Sequence, residues 1–389
     1  MKKDLTLFFI SPHNWHDHVS KNQINRPLKL AEQFSKDQMF KEIYIVNRIR
    51  PQVLYFTKHN RLEVGKSLGF KILRCNDFAN TYYVEHCFPF GKAEEIMLPM
   101  IIKRIKRKKK IKDSIILVSD PKSASIFQAK LGLGIFDAYD NWELSPLYKD
   151  DKRNREAISS GYKIASKYAE VLITNTPYMM QSMLRNEGHV YLVGNTSSLS
   201  SDKIITKKES EYNKKKSVGY IGNIYERLDL NIIDFISDKF LDVDFIFIGK
   251  QTWGNQLDKE KFLQLTKKNN VFYNDKIPYD QITNKILDFD VCIIPHIVDV
   301  FTLTQDSMKM YDFLSLGKPI VTTPVPPSEL LMDYVYIADD KERFAEKLQN
   351  ALDEVGQENK QSRQEYMKQN GWASRTNEIY SIIKDVSLA

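Results

Sequence analysis

Apolar residues fall in short runs separated by stretches of helical period, and the alternation recurs along most of the chain. Leu5–Ile10, Ile43–Val46, Ile115–Val118, Gly134–Ala138, Val171–Thr174 and Val190–Val193 read as strands. Pro27–Lys36, Glu94–Ile105, Ser123–Leu131, Arg155–Tyr168 and Pro177–Asn186 lie between them and read as helices. Ser197–Lys216 is rich in Ser and Lys, has no apolar period and reads as a linker. A second series follows, with strands at Ser217–Ile221, Asp244–Ile248, Val271–Tyr273, Val291–Pro295, Ile320–Thr323 and Tyr334–Ile337. Its helices are expected near Leu230–Phe240, Lys259–Lys268, Tyr279–Leu287 and Lys309–Leu316. Strands alternating with helices imply parallel sheets covered on both faces. The expected fold is therefore α/β, with two doubly wound, Rossmann-like domains at 1–196 and 217–374. Open sheets of this kind bind ligands at the carboxyl ends of their strands, so the natural site is a cleft between the two domains.

Composition narrows the class. A chain of 389 residues, 42% hydrophobic and 28% charged, fits a globular protein too long for one ordinary core. No apolar stretch approaches the roughly 18 residues that span a bilayer. The run Leu5–Ile10 is too short for a signal peptide and reads as a first buried strand. Cys75, Cys87 and Cys292 form no CxxC pair, which argues against a disulfide framework or zinc site and for a reducing cytoplasm. Charge is uneven. Residues 1–112 carry 23 Lys and Arg against 10 Asp and Glu; with +7 for the whole chain, the remainder carries −6. The densest cluster, Lys103 to Lys112, suits an anionic membrane surface, with Ile101, Ile102 and Ile105 as an apolar edge. A solvated helix end is the plainer alternative. Nucleic acid is disfavoured because no aromatic residue interleaves with the charges.

Candidate chemistry concentrates between Ile294 and Thr323. Leu316-Gly317-Lys318-Pro319 has the form of a helix stop followed by a strand. The helix start near Thr304–Ser307 offers unpaired amides and a positive dipole to an anion. Lys309 lies in its first turn, and Asp312, three residues on, shares that face. One cation for a diphosphate and one carboxylate for ribose hydroxyls would suit a nucleotide-sugar; an ordinary surface Lys–Asp pair has the same spacing.

Lys309-x-x-Asp312-Phe313-Leu314-x-x-Gly317-Lys318-Pro319-Ile320-Val321 resembles the donor-site signature of bacterial GT-B glycosyltransferases, with Asp312 in place of the usual Glu. Ser307-Met308-Lys309 is similar to the corresponding segment of the xanthan glucuronosyltransferase type, and the teichuronic acid type belongs to the same group. Gly219-Tyr220-Ile221-Gly222, Glu226-Arg227-Leu228-Asp229-Leu230, Asn270 to Tyr279 and Asp290 to Pro295 continue the likeness, and Val193-Gly194-Asn195 stands where the family often has P-N-G. Gly371-Trp372 with Arg375 is similar to the segment leading a last helix, 375–389, back to the first domain. The resemblance covers most of residues 217–378. It implies that Lys309 meets the diphosphate, with Ser307 and Met308 at the same helix start, and that Asp312 holds ribose. It also implies that Arg227 is a second phosphate cation and that Gly222 lets the backbone approach the donor. Arg227 paired with Glu226 or Asp229, and Gly222 as a plain turn glycine, remain open. Asp288-Phe289-Asp290 looks like a metal-binding DxD but reads as a helix end entering a strand, and no metal is expected.

The first domain is expected to hold the acceptor. Phe136-Asp137-Ala138-Tyr139-Asp140-Asn141 follows a strand and resembles the family's Y-D-x-x-D-D stretch, with Asn141 replacing its last Asp. Asp140 is the candidate base and Asp137 the structural carboxylate, although both would also serve as turn caps. Ser11 to His18, with three histidines, is expected to supply polar acceptor contacts. Thr304 stands where many retaining members carry a second Glu, which favours inversion. The expected function is transfer of a sugar from a nucleotide diphosphate donor, UDP-sugar in the first place, to a glycan or lipid-linked hydroxyl. No cofactor and no nucleic acid are expected, and the expected place is the inner face of a bacterial membrane, in surface polysaccharide synthesis. A nucleotide-sugar epimerase and a non-catalytic binding partner on the same fold are the alternatives.

Overall fold

The computed structural model describes residues 5–13, 15, 25–46, 63–67, 70–86, 92–183, 189–199, 215–354 and 357–388. The expectations for Asn14, for His16 to His18, for Cys87 and for most of the linker, 200–214, lie outside these residues. The chain divides into two compact units, Met1–Val193 with Trp372–Ala389, and Gly194–Gly371.

Unit 1 is built on a sheet that is nine-stranded among the described residues. Its strands are β1 (Thr6–Ile10), β2 (Glu42–Val46), β3 (Glu63–Ser67), β4 (Phe70–Arg74), β5 (Thr81–His86), β6 (Ser114–Val118), β7 (Leu133–Ala138), β8 (Val171–Thr174) and β9 (His189–Leu192), in the order β3-β4-β5-β2-β1-β6-β7-β8-β9. β4 pairs antiparallel with β3 and β5; the other pairs are parallel. β1 and β6 are buried at every position, which is why they read as continuous apolar runs. The chain reverses its direction of travel across the sheet between β1 and β6, a topological switch point.

The helices of unit 1 are α1 (Arg26–Lys36), α2 (Lys92–Lys109), α3 (Lys152–Tyr168), α4 (Pro177–Met183) and, from the far end of the chain, α11 (Trp372–Leu388). Asn25 caps α1 through the amide of Leu28 at 3.1 Å, with proline in the first turn. The helix expected at Ser123–Leu131 is instead a 3-10 helix, Pro121–Ala129. Gly161 of α3 lies so close to it that an added Cβ would stand 1.9 Å from the carbonyl oxygen of Pro121. The apolar edge expected from Ile101, Ile102 and Ile105 is corrected as well: all three are buried in the core of unit 1, with Phe8, Ile116 and Ile126.

Unit 2 carries β10 (Lys216–Ile221), β11 (Val243–Ile248), β12 (Val271–Asn274), β13 (Val291–Ile294), β14 (Ile320–Thr322) and β15 (Tyr336–Ile337). They form an all-parallel sheet in the order β12-β11-β10-β13-β14-β15. This is the doubly wound dinucleotide-fold order, with its switch point between β10 and β13. On one face Val218, Phe245, Ile293 and Val321 pack with α5 (Leu230–Lys239), α6 (Gln256–Leu265) and α9 (Lys341–Leu352). On the other, Cys292, Ile294 and Ile320 pack with α7 (Tyr279–Asp288), α8 (Met308–Ser315) and α10 (Glu358–Gln369).

The stop after α8 forms as its residues suggest. Gly317 has φ +73°, its amide donates to Leu314 O at 2.8 Å and the Lys318 amide to Phe313 O at 3.0 Å. The Lys318 ammonium donates to the carbonyls of Leu287 and Phe289, closing the end of α7. Asp290 accepts from the Ser217 amide at 2.7 Å, so the second carboxylate of the DxD-like triplet fastens β10.

Candidate functional site

The switch point of unit 2 gathers most of the residues expected at a donor site. β10 ends at Ile221, and Gly222 follows with φ +149°, a backbone shape that side chains rarely adopt. A Cβ there would stand 2.9 Å from both Cε and Nζ of Lys309, so the bare glycine leaves room for that lysine. Beyond the end of β13 comes His296, buried, whose Nε2 lies 3.3 Å from Tyr220 Oη and 3.5 Å from Lys309 Nζ. Lys309 donates to Tyr220 Oη at 3.0 Å and lies over its ring, 4.6 Å from the centroid. Arg227 reaches the group because its loop runs beside the exit of β13. The Ile297 amide donates to Arg227 O at 2.7 Å, Leu228 bridges His296, and the guanidinium covers the ring of Tyr225 at 4.7 Å.

The carboxylates considered as partners for Arg227 are engaged with backbone. Glu226 accepts from the amides of Gly254 and Asn255, and Asp229 caps α5 through Asn231 and Ile232 at 2.9 and 3.1 Å.

Three basic groups thus surround one phenol, and their protonation reflects it. Burial holds the Lys309 ammonium well below the ordinary lysine value; the charge of Arg227 adds to this and Asp312 opposes it. Burial, then Lys309 and Arg227, hold His296 well below the usual histidine range. Burial raises the Tyr220 phenol, with Arg227 pulling the other way. Such a cluster gains most from an arriving polyanion, which restores charge to groups that otherwise lose it.

α8 lays out the rest. Ser307 occupies its N-cap position without a side-chain cap, Met308 opens the helix, and Asp312 lies one turn beyond Met308. Asp312 Oδ1 accepts from the Ser197 hydroxyl at 2.6 Å, and that hydroxyl also accepts from the Leu199 amide at 2.8 Å. Asn195 anchors the approach to α8, its side chain donating to Asp306 O at 2.8 Å and its amide to the Asp306 carboxylate. Gly222, Arg227 and Lys309 are therefore brought together, with Ser307, Met308 and Asp312 along the adjoining helix. Tyr220, His296 and Ser197 are additions. Tyr220 lies one residue before the end of β10 and His296 two residues beyond the end of β13, at the switch point.

In unit 1, Asp137 is fully buried and takes a forked contact from Arg26, Nε to the two oxygens at 3.1 and 3.2 Å and Nη2 to Oδ1 at 3.0 Å. Asp140, two residues past β7, is half-buried. Its carbonyl accepts from Tyr162 Oη at 2.6 Å, which accepts in turn from the Trp142 amide at 3.1 Å. Asn141 caps the next turn through Glu143 N at 3.1 Å, so that role falls to Asn141. Tyr139 Oη lies 3.3 Å from His13 Nε2, joining the loop after β1 to the loop after β7. A cavity of about 410 Å³ opens between α2, the 3-10 helix and α3. Asp120, Ser123, Ser125, Asn154 and Ser160 give it a polar lining, with Leu98 and Ile164 beneath. Asp120 lies just past β6, and its charge, like that of Asp140, raises the Tyr139 and Tyr162 phenols, after burial.

Comparison with known proteins bears on this arrangement. A putative teichuronic acid biosynthesis glycosyltransferase, TuaH of Bacillus subtilis (strain 168), is 25% identical over 120 residues, and the match spans 31% of this chain and 30% of that protein. No family model matches the chain. Among solved structures, sucrose-phosphate synthase from Thermosynechococcus elongatus aligns over 99% of both chains at 10% identity with a TM-score of 0.64. α,α-Trehalose 6-phosphate synthase from Burkholderia multivorans aligns over 100% of this chain and 99% of its own at 10% identity and 0.65. Anabaena HepE, solved in complex with UDP and glucose, aligns over 98% and 99% at 12% identity and 0.58. The fold is GT-B. At these identities the structural likeness extends to the fold alone, and the chemistry rests on the residues of this chain.

Proposed function

We propose that this protein is a glycosyltransferase that moves a sugar from a UDP-sugar to a hydroxyl of a glycan or lipid-linked acceptor in the synthesis of a surface polysaccharide. The observation that carries the reading is the convergence of Lys309, Arg227 and His296 beside the bare backbone of Gly222, at the switch point of unit 2. Basic groups gathered at the carboxyl ends of parallel strands suit a pyrophosphate. The B. subtilis relative and the UDP complex of HepE are in keeping with it.

On this reading Lys309 and Arg227 stabilise charge on the departing diphosphate, with the amides of Ser307 and Met308 at the helix start. Asp312, oriented by Ser197, holds the ribose hydroxyls. The acceptor belongs to unit 1, where the cavity beside α3 offers Ser123, Ser125, Ser160 and Asn154 among charged residues such as Asp120 and Arg153. Asp140 takes the proton of the attacking hydroxyl as oxygen bonds to the anomeric carbon. The bond from that carbon to the diphosphate breaks with its electron pair leaving on UDP, which inverts the centre.

A panel of UDP-, GDP- and dTDP-sugars in thermal-shift titrations tests the donor. A true donor raises the melting temperature by mass action, because it binds the folded chain. UDP and one UDP-sugar are expected to do so, and a panel without any shift would remove the donor site.

A further inference from the structure

We propose that the outward face of α2 is a docking surface for an anionic lipid bilayer. α2 buries Leu98, Ile101, Ile102 and Ile105 in the core of unit 1, a spacing of three and four that fixes which side faces outward. On the outward side Ile96 and Met100 are 64% and 55% exposed, one helical turn apart. The same stripe continues into Lys103, Arg104 and Arg107, with Lys108 beside it, all exposed. Two large apolar side chains in water beside four cations match a bilayer interface, where aliphatic groups enter the headgroup boundary and ammonium and guanidinium groups meet phosphates. The charge is placed to match: residues 1–112 hold the chain's positive surplus, and 113–389 are net negative. A nucleic acid fits less well, since residues 92–112 contain no aromatic side chain for bases to stack on. The surface differs from the one the sequence suggests, because the isoleucines inside the basic block point into the protein. It belongs to unit 1, whereas the proposed donor chemistry belongs to unit 2.

Co-sedimentation of the full chain with vesicles tests it. Vesicles of phosphatidylcholine with about a third phosphatidylglycerol should pull the protein down at physiological salt, and pure phosphatidylcholine should not. Each cation near such a surface is worth about fivefold in partition, so Lys103→Glu with Arg107→Glu should lower binding by at least ~25-fold. Ile96→Ser with Met100→Ser should lower it about tenfold or more at unchanged charge. Unchanged melting temperatures of the variants establish that they are folded, without recourse to donor binding. Wild-type protein left in the supernatant, binding by both double variants equal to that of the wild type, or retention on duplex DNA in preference to vesicles would each overturn the proposal. If UDP fails to bind while the vesicle results hold, the donor reading falls and the docking surface stands.

Discussion

Replacing Lys309 with alanine separates the donor-site reading from a purely structural role for that lysine. In the free chain the ammonium leans on Tyr220 Oη at 3.0 Å and His296 Nε2 at 3.5 Å, neither of which carries negative charge. A phosphate oxygen at about 4 Å would attract it by roughly 4 kcal/mol at an effective dielectric constant of about 20. Exchange with water leaves a net ~1.5–3 kcal/mol for one charge-assisted contact, a loss of about 10- to 150-fold in UDP affinity for Lys309→Ala. The depressed protonation of Lys309 and His296 adds a second signature. Both are held below their ordinary values in the free chain and are brought back up by a bound polyanion, so binding takes up protons and affinity rises as pH falls. Titration calorimetry of UDP at pH 7 and 8.5, in two buffers of different ionisation enthalpy, reads both effects. Wild type should show tighter binding at the lower pH with net proton uptake, and the variant weaker binding with less uptake. The same depression makes folding favour higher pH. The unfolded chain protonates lysine below about pH 10.5, earlier than the native chain does, so the contribution of Lys309 to stability falls between that value and its lower native one. UDP affinity within twofold of wild type at both pH values would refute the reasoning.

Asp140→Asn should lower transfer by about 10²–10⁴-fold while UDP affinity stays within twofold; near-normal turnover would remove the base assignment. Arg26→Ala strands the buried carboxylate of Asp137 and should cost ~3–5 kcal/mol, about 6–20 °C in the melting of unit 1 by scanning calorimetry, whereas a fall under 2 °C would mean that the pair is not held as described. Gly317→Val meets both the left-handed backbone and the carbonyl oxygen of Lys360, 3.1 Å from its Cβ, and should lose at least ~1–2 kcal/mol in urea melts; an unchanged midpoint would contradict that geometry.

Most of the parallel strands were legible as short apolar runs, and β1, β6 and β13 are buried at every position; β5, parallel to β2, was not among those expected. The antiparallel β3–β4 pair was not. β4 alternates buried and half-exposed positions over five residues, and β3 reads Glu63 to Ser67 with a single Val, so neither forms an apolar run. The Pro121–Ala129 segment carries helical spacing, yet the approach of Gly161 and a left-handed Lys130 accompany the tighter 3-10 winding. At the proposed donor site, Lys309, Asp312 and Gly222 were expected from spacing and resemblance. Tyr220 and His296 could not, because their nearness depends on β10 and β13 being neighbours, a long-range fact of strand order. Nor could the Arg26–Asp137 pair, whose members lie 111 residues apart.

The interrupted ownership of unit 1 has a consequence for how the molecule comes into being. Its first part ends at Val193, and α11 arrives from residues 372–388, burying Ile379, Ile382 and Ile383 and setting Tyr380 edge-on against Phe40 at 6.0 Å. During synthesis the amino-terminal sheet therefore waits, with the seat of α11 uncovered, until the whole of unit 2 has emerged from the ribosome. Unit 2, drawn from one uninterrupted stretch, has every piece of its own core before unit 1 does. A chain cut between residues 193 and 372 lacks α11 and leaves that seat unfilled, beside Phe34 and Phe40.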